Sequence, residues 1–381
     1  MNLRFPFRSA FTPVLFASVA CTAQTNAPVE KPQAAAVRDA YQGGWSVNAD
    51  AKDKAKADSV QFDFDLFSST VTALTPTEGL NRFRAERNSA LIRNQGQLPS
   101  NDRTKLKKQA DALSTMHPGS FEAELAAFYT AFPSPASYEH LDAAARQQPA
   151  RDELVGPLLT RALRHDDRGQ LVPAAREMKL RGGVAPGLYA MADDILLSVD
   201  PDAVLIVAGE MDGFPLLVRQ YAEGRRPDVL IVDQRLLDDA SYRARIWTRA
   251  KARGAVAPDA ASFPDRLMKS CSRPVFLSLA LGRQWAERYA PMLHITGMAM
   301  RLSDKPCCDI RKLDAAWAAM SRTTEAGPLS RNYAIPAAVL LKHHRAQGDE
   351  EKAALMEHQL RELAKRIGIT SELQANGILP H

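Results

Sequence analysis

AVLIVAGEMDGFPLLVRQYAEGRRPDVLIVD, residues 203–233, reads as strand, acidic turn, helix, turn and strand. The run 203–208 is unbroken, apolar and rich in branched side chains, which suits a strand covered on both faces in a parallel sheet. Gly209 closes it, and Glu210, Met211 and Asp212 follow. Phe214, Leu217, Val218 and Tyr221 then recur at helical spacing, with Pro215 placed in the first turn, where no N–H is needed. Gly224 supplies a left-handed stop, and 228–233 (DVLIVD) is a second buried strand. In open α/β sheets ligands gather at the carboxyl ends of the strands. Glu210, Asp212, Asp233 and Arg235 are therefore the candidate ligand-binding residues, with Gln234 beside them. The same acids also suit a structural role, capping the N–H groups at a helix start. The turn GEMDG has neither the glycine spacing of a dinucleotide fingerprint nor the Lys-Ser/Thr of a P-loop, so no cofactor is expected.

Working outward, 274–280 (PVFLSLA) is a third buried strand and 299–302 an edge strand. Upstream the pattern is helical. Ser120 is an N-cap ahead of Phe121, Leu125, Phe128 and Phe132, and Pro133 and Pro135 stop that helix. Further amphipathic helices follow with short polar connections, in the manner of a tetratricopeptide-like array or of a plain helical bundle. The end of the chain is a helical hairpin, 332–347 and 350–367, broken at Gly348 and Asp349. The fold expected is α/β: a small parallel Rossmann-like sheet of three or four strands, an N-terminal helical array and a C-terminal helical hairpin. The segments are 1–20 signal peptide, 21–58 flexible linker, 59–185 helical, 186–310 Rossmann-like and 311–381 C-terminal helices.

Residues 1–20 carry two arginines and a short apolar run ending in small residues, the layout of a secretory signal. Ser18-Val19-Ala20-Cys21 is similar to the lipobox of bacterial lipoproteins, with Ser18 where Leu is usual. The expectation is a lipid on Cys21, the chain's only membrane attachment; cleavage after Ala20 is the alternative. Residues 60–66 (VQFDFDL) alternate apolar and acidic, which suggests an extended segment. In an oxidising compartment Cys271 could pair with Cys307 or Cys308. No Cys-x-x-Cys with neighbouring histidines occurs, so no metal site is expected. His294, in an apolar setting, reads as a packing residue before a catalytic one, and His343 and His344 as residues of a solvated face. The 381 residues carry a net charge of +5, but Lys and Arg are interspersed with acids, and no basic stripe suggests nucleic acid as a partner.

The stretch 195–237 resembles the soluble C-terminal region of bacterial multi-spanning membrane proteins related to protein O-mannosyltransferases. The resemblance is carried by Gly209, Asp212, Phe214, Pro215, Leu216, Gly224, Arg226, Asp228, Val229, Leu236 and Leu237, and continues over 274–302. Glu210, Met211 and Gly213 depart from it, standing where that family has Asp, Asn and Thr, and Asp233-Gln234 stands where Asn is usual. The resemblance implies a soluble module without membrane spans, set behind tetratricopeptide-like helices. The family's glycosyl transfer belongs to its membrane half and is not carried over. The function expected is an exported, lipid-anchored, non-catalytic module of the cell envelope that binds an envelope protein or glycan. The alternative is an envelope sugar- or lipid-processing hydrolase or transferase that uses Asp212 and Glu210; the catalytic residues are otherwise unknown.

Overall fold

The computed structural model describes residues 75–94, 98–305 and 309–381. The signal-like residues 1–20, Cys21, the linker 21–58, the stretch 60–66, Cys307 and Cys308 lie outside the described residues. The chain divides into two compact units, whose described parts are 75–184 and 185–381.

The first unit is helical. It contains α1 (Pro76–Arg93), α2 (Ser100–Met116), α3 (Phe121–Ala131), α4 (Pro135–Gln147), α5 (Val155–His165) and α6 (Arg168–Leu180). The Ser120 hydroxyl accepts the Ala123 N–H, the cap expected of it. Pro135 opens α4 at a position whose N–H would have no helical partner. Phe121, Leu125, Phe128, Tyr138 and Leu141 face inward and join Leu80, Phe83 and Leu106 in one apolar core. α1 packs on α2, α2 on α3, α3 on α4 and α5 on α6.

The second unit is mixed α/β. α7 (Pro186–Leu197) leads into β1 (Val204–Val207), α8 (Glu210–Leu217) and a π-helical turn, then β2 (Leu230–Asp233) and α9 (Ala240–Arg249). α10 (Phe263–Ser270), β3 (Val275–Ser278) and α11 (Arg283–Tyr289) come next. They are followed by β4 (Leu293–Ile295), β5 (Ala299–Leu302), α12 (Ile310–Ala319), α13 (Ala334–Gln347), α14 (Glu350–Ile367) and α15 (Thr370–Ala375).

The sheet has five strands in the order β2-β1-β3-β5-β4. β1 pairs in parallel with β2 on one side and with β3 on the other, Val204 lying opposite both Leu230 and Val275. All four residues of β1 are 0% exposed, which is why the run is uniformly apolar. The sheet is not the parallel Rossmann-like sheet expected, because β3–β5 and β5–β4 are antiparallel. Only three residues separate β4 from β5. A connection that short joins antiparallel strands, whereas a parallel return needs a crossover of a dozen residues or more. The tight reversal places Gly297 at φ 135, with a built Cβ 2.3 Å from the Ser198 hydroxyl, so no side chain fits there. The stretch 299–302, expected at the edge, is interior; the edge is β4, which carries the half-buried His294.

Two further expectations are corrected. α8 begins at Glu210, so Pro215 sits inside the helix, beyond its first turn. A proline there donates no hydrogen bond, and within three residues the helix opens into the π-helical turn Val218–Ala222. His344 is buried, because α13 is packed by α14 on the face expected to be solvated.

The amino edge of the sheet is closed by two arginines. Arg226, itself left-handed at φ 46, donates to the carbonyls of Leu196 (2.7 Å) and Asp200 (2.9 Å) at the end of α7. It also grips Asp228 at 2.9 Å, and Asp228 accepts the Asp202 N–H. Arg273 spans the carbonyls of Asp202, Ala203 and Asp228. Arg226→Lys is expected to lower the unfolding free energy by about 1–2 kcal/mol in urea denaturation, since an ammonium cannot fork between two carbonyls and a carboxylate. Arg226→Gly loses the same clamp but regains part of the loss by relieving the left-handed backbone.

Candidate functional site at the carboxyl edge of the sheet

The four candidates converge where β1 and β2 end. Asp233 is the last residue of β2 and 3% exposed; Glu210 opens α8 and Asp212 lies in its first turn. Arg235 joins the end of β2 to the start of α8. Its Nη2 lies 2.7 Å from Asp233 and its Nη1 2.9 Å from Glu210, while its backbone N–H donates to Asp233 Oδ1 at 2.9 Å. Burial alone would lower the Arg235 pKa, but Asp233 and Glu210 more than reverse this, so it remains a cation.

The guanidinium of Arg235 lies across Gly209. A Cβ built on Gly209 would come within 2.7 Å of the Arg235 Nε, and Gly209 adopts φ 152, a region that L residues avoid. Glycine here therefore serves both the backbone and the close approach of Arg235.

Asp212 turns inward. It is 1% exposed, and its two oxygens accept the N–H groups of Ala208 (2.9 Å) and Gly209 (3.0 Å). This is the half of a capping box that a helix-start acid supplies. The hydroxyl of Ser278, the last residue of β3, bonds to the same carboxylate and also accepts the Ala280 N–H. Asp212 and Ser278 thus fill the space between the carboxyl ends of β1 and β3. That is the switch point of the parallel strands, since the chain leaves β1 towards β2 on one side and β3 lies on the other. Burial, the largest influence, raises the Asp212 pKa; the Ala208 N–H, the Ser278 hydroxyl and the Gly209 N–H act to lower it, and the Asp233 charge adds to the rise. Among the described residues no group of three or more His, Cys, Asp or Glu side chains is arranged to hold a metal ion.

A second polar centre lies elsewhere in this unit, at Asp194 on α7. The residue is 4% exposed, and its carboxylate accepts the Tyr333 hydroxyl (2.6 Å), the Ser321 hydroxyl (2.7 Å) and the N–H groups of Ser321 (3.0 Å) and Arg322 (3.2 Å). Sequence reading passed over Asp194. Its signal was present: an acid placed among Leu188, Met191 and Ile195, on the apolar face of its helix. Ser278, a lone hydroxyl within PVFLSLA, carried the same kind of signal. Cys271 is half-buried at the end of α10, and burial pushes its thiol pKa up.

The class these features define is a helix-rich mixed α/β protein whose five-stranded sheet has three parallel strands, β2, β1 and β3, and an antiparallel pair, β5 and β4. No helix among the described residues is long and apolar enough to cross a membrane. Residues 188–256 match the family model described as TMEM260-associated domain 2. The match takes in β1, α8, β2 and α9, and with them Gly209, Asp212, Arg226, Asp228 and all of the carboxyl-edge cluster except Ser278; it ends before 274–302. No curated protein and no solved structure gives a significant match to the chain.

Gly209→Ala is expected to cost about 1–3 kcal/mol from backbone conformation alone, with a further loss from the collision with Arg235. In an Arg235→Ala background the collision disappears, so a double-mutant cycle by urea denaturation should show a coupling of at least about 0.5 kcal/mol.

The two edges of the sheet should respond to pH with opposite sign. The folded state holds the Asp212 proton more tightly than the unfolded one. Its stabilising contribution is fully present below the ordinary value of 3.8 and is lost as the pH rises through the raised value. Asp228 is pulled down to about 2, mainly by its hydrogen bonds from Arg226, so its contribution is present above 3.8 and is lost as the pH falls through about 2. The stability advantage of the wild type over Asp212→Asn should therefore shrink from acid to neutral pH. Its advantage over Asp228→Asn should grow as the pH rises from about 2 to 3.8.

Proposed function

We propose that the chain is an exported, non-catalytic binding module of the bacterial cell envelope, anchored by a lipid on Cys21, that recognises an envelope protein or glycan. The observation that carries this reading is the internal use of every acid at the sheet's carboxyl edge. Glu210 and Asp233 are held by Arg235, and Asp212 is held by backbone N–H groups and Ser278. Acid–base catalysis needs a carboxyl group within reach of a substrate proton, and an acid spent on its own backbone works as a cap. The similarity to TMEM260-associated domain 2 supports kinship with the soluble region of the O-mannosyltransferase-related membrane proteins, apart from their membrane half. Under this reading α1–α6 form a tetratricopeptide-like array that adds a second protein-binding surface.

One observation favours a second reading. Asp212 sits at the switch point with its pKa raised by burial, as a general acid would be. With Glu210 as base it would then serve a hydrolase or transferase acting on an envelope sugar or lipid.

Pull-down from envelope extracts, run beside glycan arrays, should return a specific partner; a result at background with both sinks the binding module. Metabolic labelling with a fatty-acid probe should be lost in Cys21→Ala. An Asp212→Asn variant that keeps wild-type stability and loses an enzymatic activity would move the reading to the enzyme.

A further inference from the structure

Between α12, the turn after it and α14 lies a cleft of about 400 Å³. That volume is within the span of small-molecule sites, about 300–1,000 Å³. One wall is fixed from beneath. Asp194 takes the N–H groups of Ser321 and Arg322, and Arg322 is thereby held at φ 52, a conformation that side chains other than glycine rarely adopt. The Arg322 guanidinium lies 5.2 Å over the Trp317 ring.

The hydrogen-bonding capacity of the lining is unbalanced towards donors. The Gln359 amide oxygen is already taken, by the Trp317 indole N–H at 2.7 Å and by Arg322 at 3.5 Å. Its amide NH2 group has no acceptor among the described residues, and neither does Arg366. Arg322 has no carboxylate partner there. Other arginines of the unit are committed to acids: Arg219, Arg226, Arg235, Arg301 and Arg331 each lie within 2.9 Å of a carboxylate, whereas Arg322 and Arg366, like the exposed Arg253, Arg266 and Arg288, have none among the described residues. Two guanidiniums without a carboxylate partner and an unused amide NH2 group in one cleft match the acceptor-only chemistry of an oxyanion.

We propose that this cleft binds a small ligand through a phosphate or carboxylate group recognised by Arg322, Arg366 and the Gln359 amide. Stacking on Trp317 and the locked backbone hold the Arg322 fork in place before binding, which lowers the entropy lost in the complex. Glu362, the one acid in the lining, repels a second negative group and so selects a small anion over a polyanionic chain. The site goes beyond the envelope-binding reading and shares no residue with the sheet edge, so either can fail alone.

The test is a titration of the full 15N-labelled chain with inorganic phosphate, and separately with glucuronate, in about 0.15 M salt, where exposed charges beyond about 8 Å are screened. The readout is the Trp317 indole N–H resonance, assigned with Trp317→Phe. A saturable shift with either anion is expected, and which anion gives it distinguishes a phosphoryl from a carboxylate ligand. Arg366→Ala, a change at an exposed helix position, should weaken binding about tenfold or more, as should Arg322→Gln. Arg311→Ala, which removes an arginine paired with Asp309, should leave binding unchanged. If Arg322→Gln fails to fold, Arg366→Ala carries the test alone. The proposal is overturned if neither anion produces a saturable shift, or if Arg311→Ala weakens binding as much as Arg366→Ala.

Discussion

The constraint on which the second unit rests is the complete burial of β1. A strand with no exposed side chain, paired on both edges, meets polar chemistry only at its two ends. Each end is handled by arginine and aspartate, in opposite ways. At the amino end Arg226 and Arg273 reach inward to carbonyls at the end of α7 and at the strand starts. At the carboxyl end Asp212 reaches back to N–H groups left over where β1 gives way to α8. The arginines complement surplus acceptors and the aspartate complements surplus donors, as the polarity of a peptide chain requires.

The residues of the acidic turn therefore belong to the fold before they belong to any ligand. Asp212 closes the start of α8, Gly209 makes room for Arg235, and Arg235 neutralises two acids at once. Arg226 and Asp228, from the same family-like stretch, secure the opposite edge. A turn that looks like a ligand site by position is, in this geometry, the means by which two strands and a helix are held in register. The donor-rich cleft beside α14 owes nothing to that turn. It arises where an arginine is fixed over an indole and left without an acid.

Much of this was legible in the sequence, for local reasons. The apolar runs 203–208, 228–233 and 274–280 have the length and branching of covered strands, and each contains one, at Val204–Val207, Leu230–Asp233 and Val275–Ser278. α14 runs from Glu350 to Ile367 and ends at a left-handed Gly348-like glycine, Gly368, as its pattern predicted. The β4–β5 hairpin was harder, because LHI and AMRL are too short for a period to show, and their antiparallel order is set by a three-residue turn. At the candidate site the positions were legible and their roles were not. An acid after a strand looks the same whether it caps a helix or faces a substrate, and only the hydrogen bonds of Asp212 separate the two. The Asp194 centre escaped because its partners lie 127 to 139 residues further along the chain.

That separation gives the last part of the chain a place in the interior. A protein cut off after residue 310 would retain all five strands and the whole of the acidic turn. It would lose the hydroxyl and amide donors around Asp194, leaving a buried carboxyl group without those partners. One carboxylate on α7 thus ties the helix that leads into the sheet to the last part of the chain, and a helical ending that resembles an appendage is part of the keel.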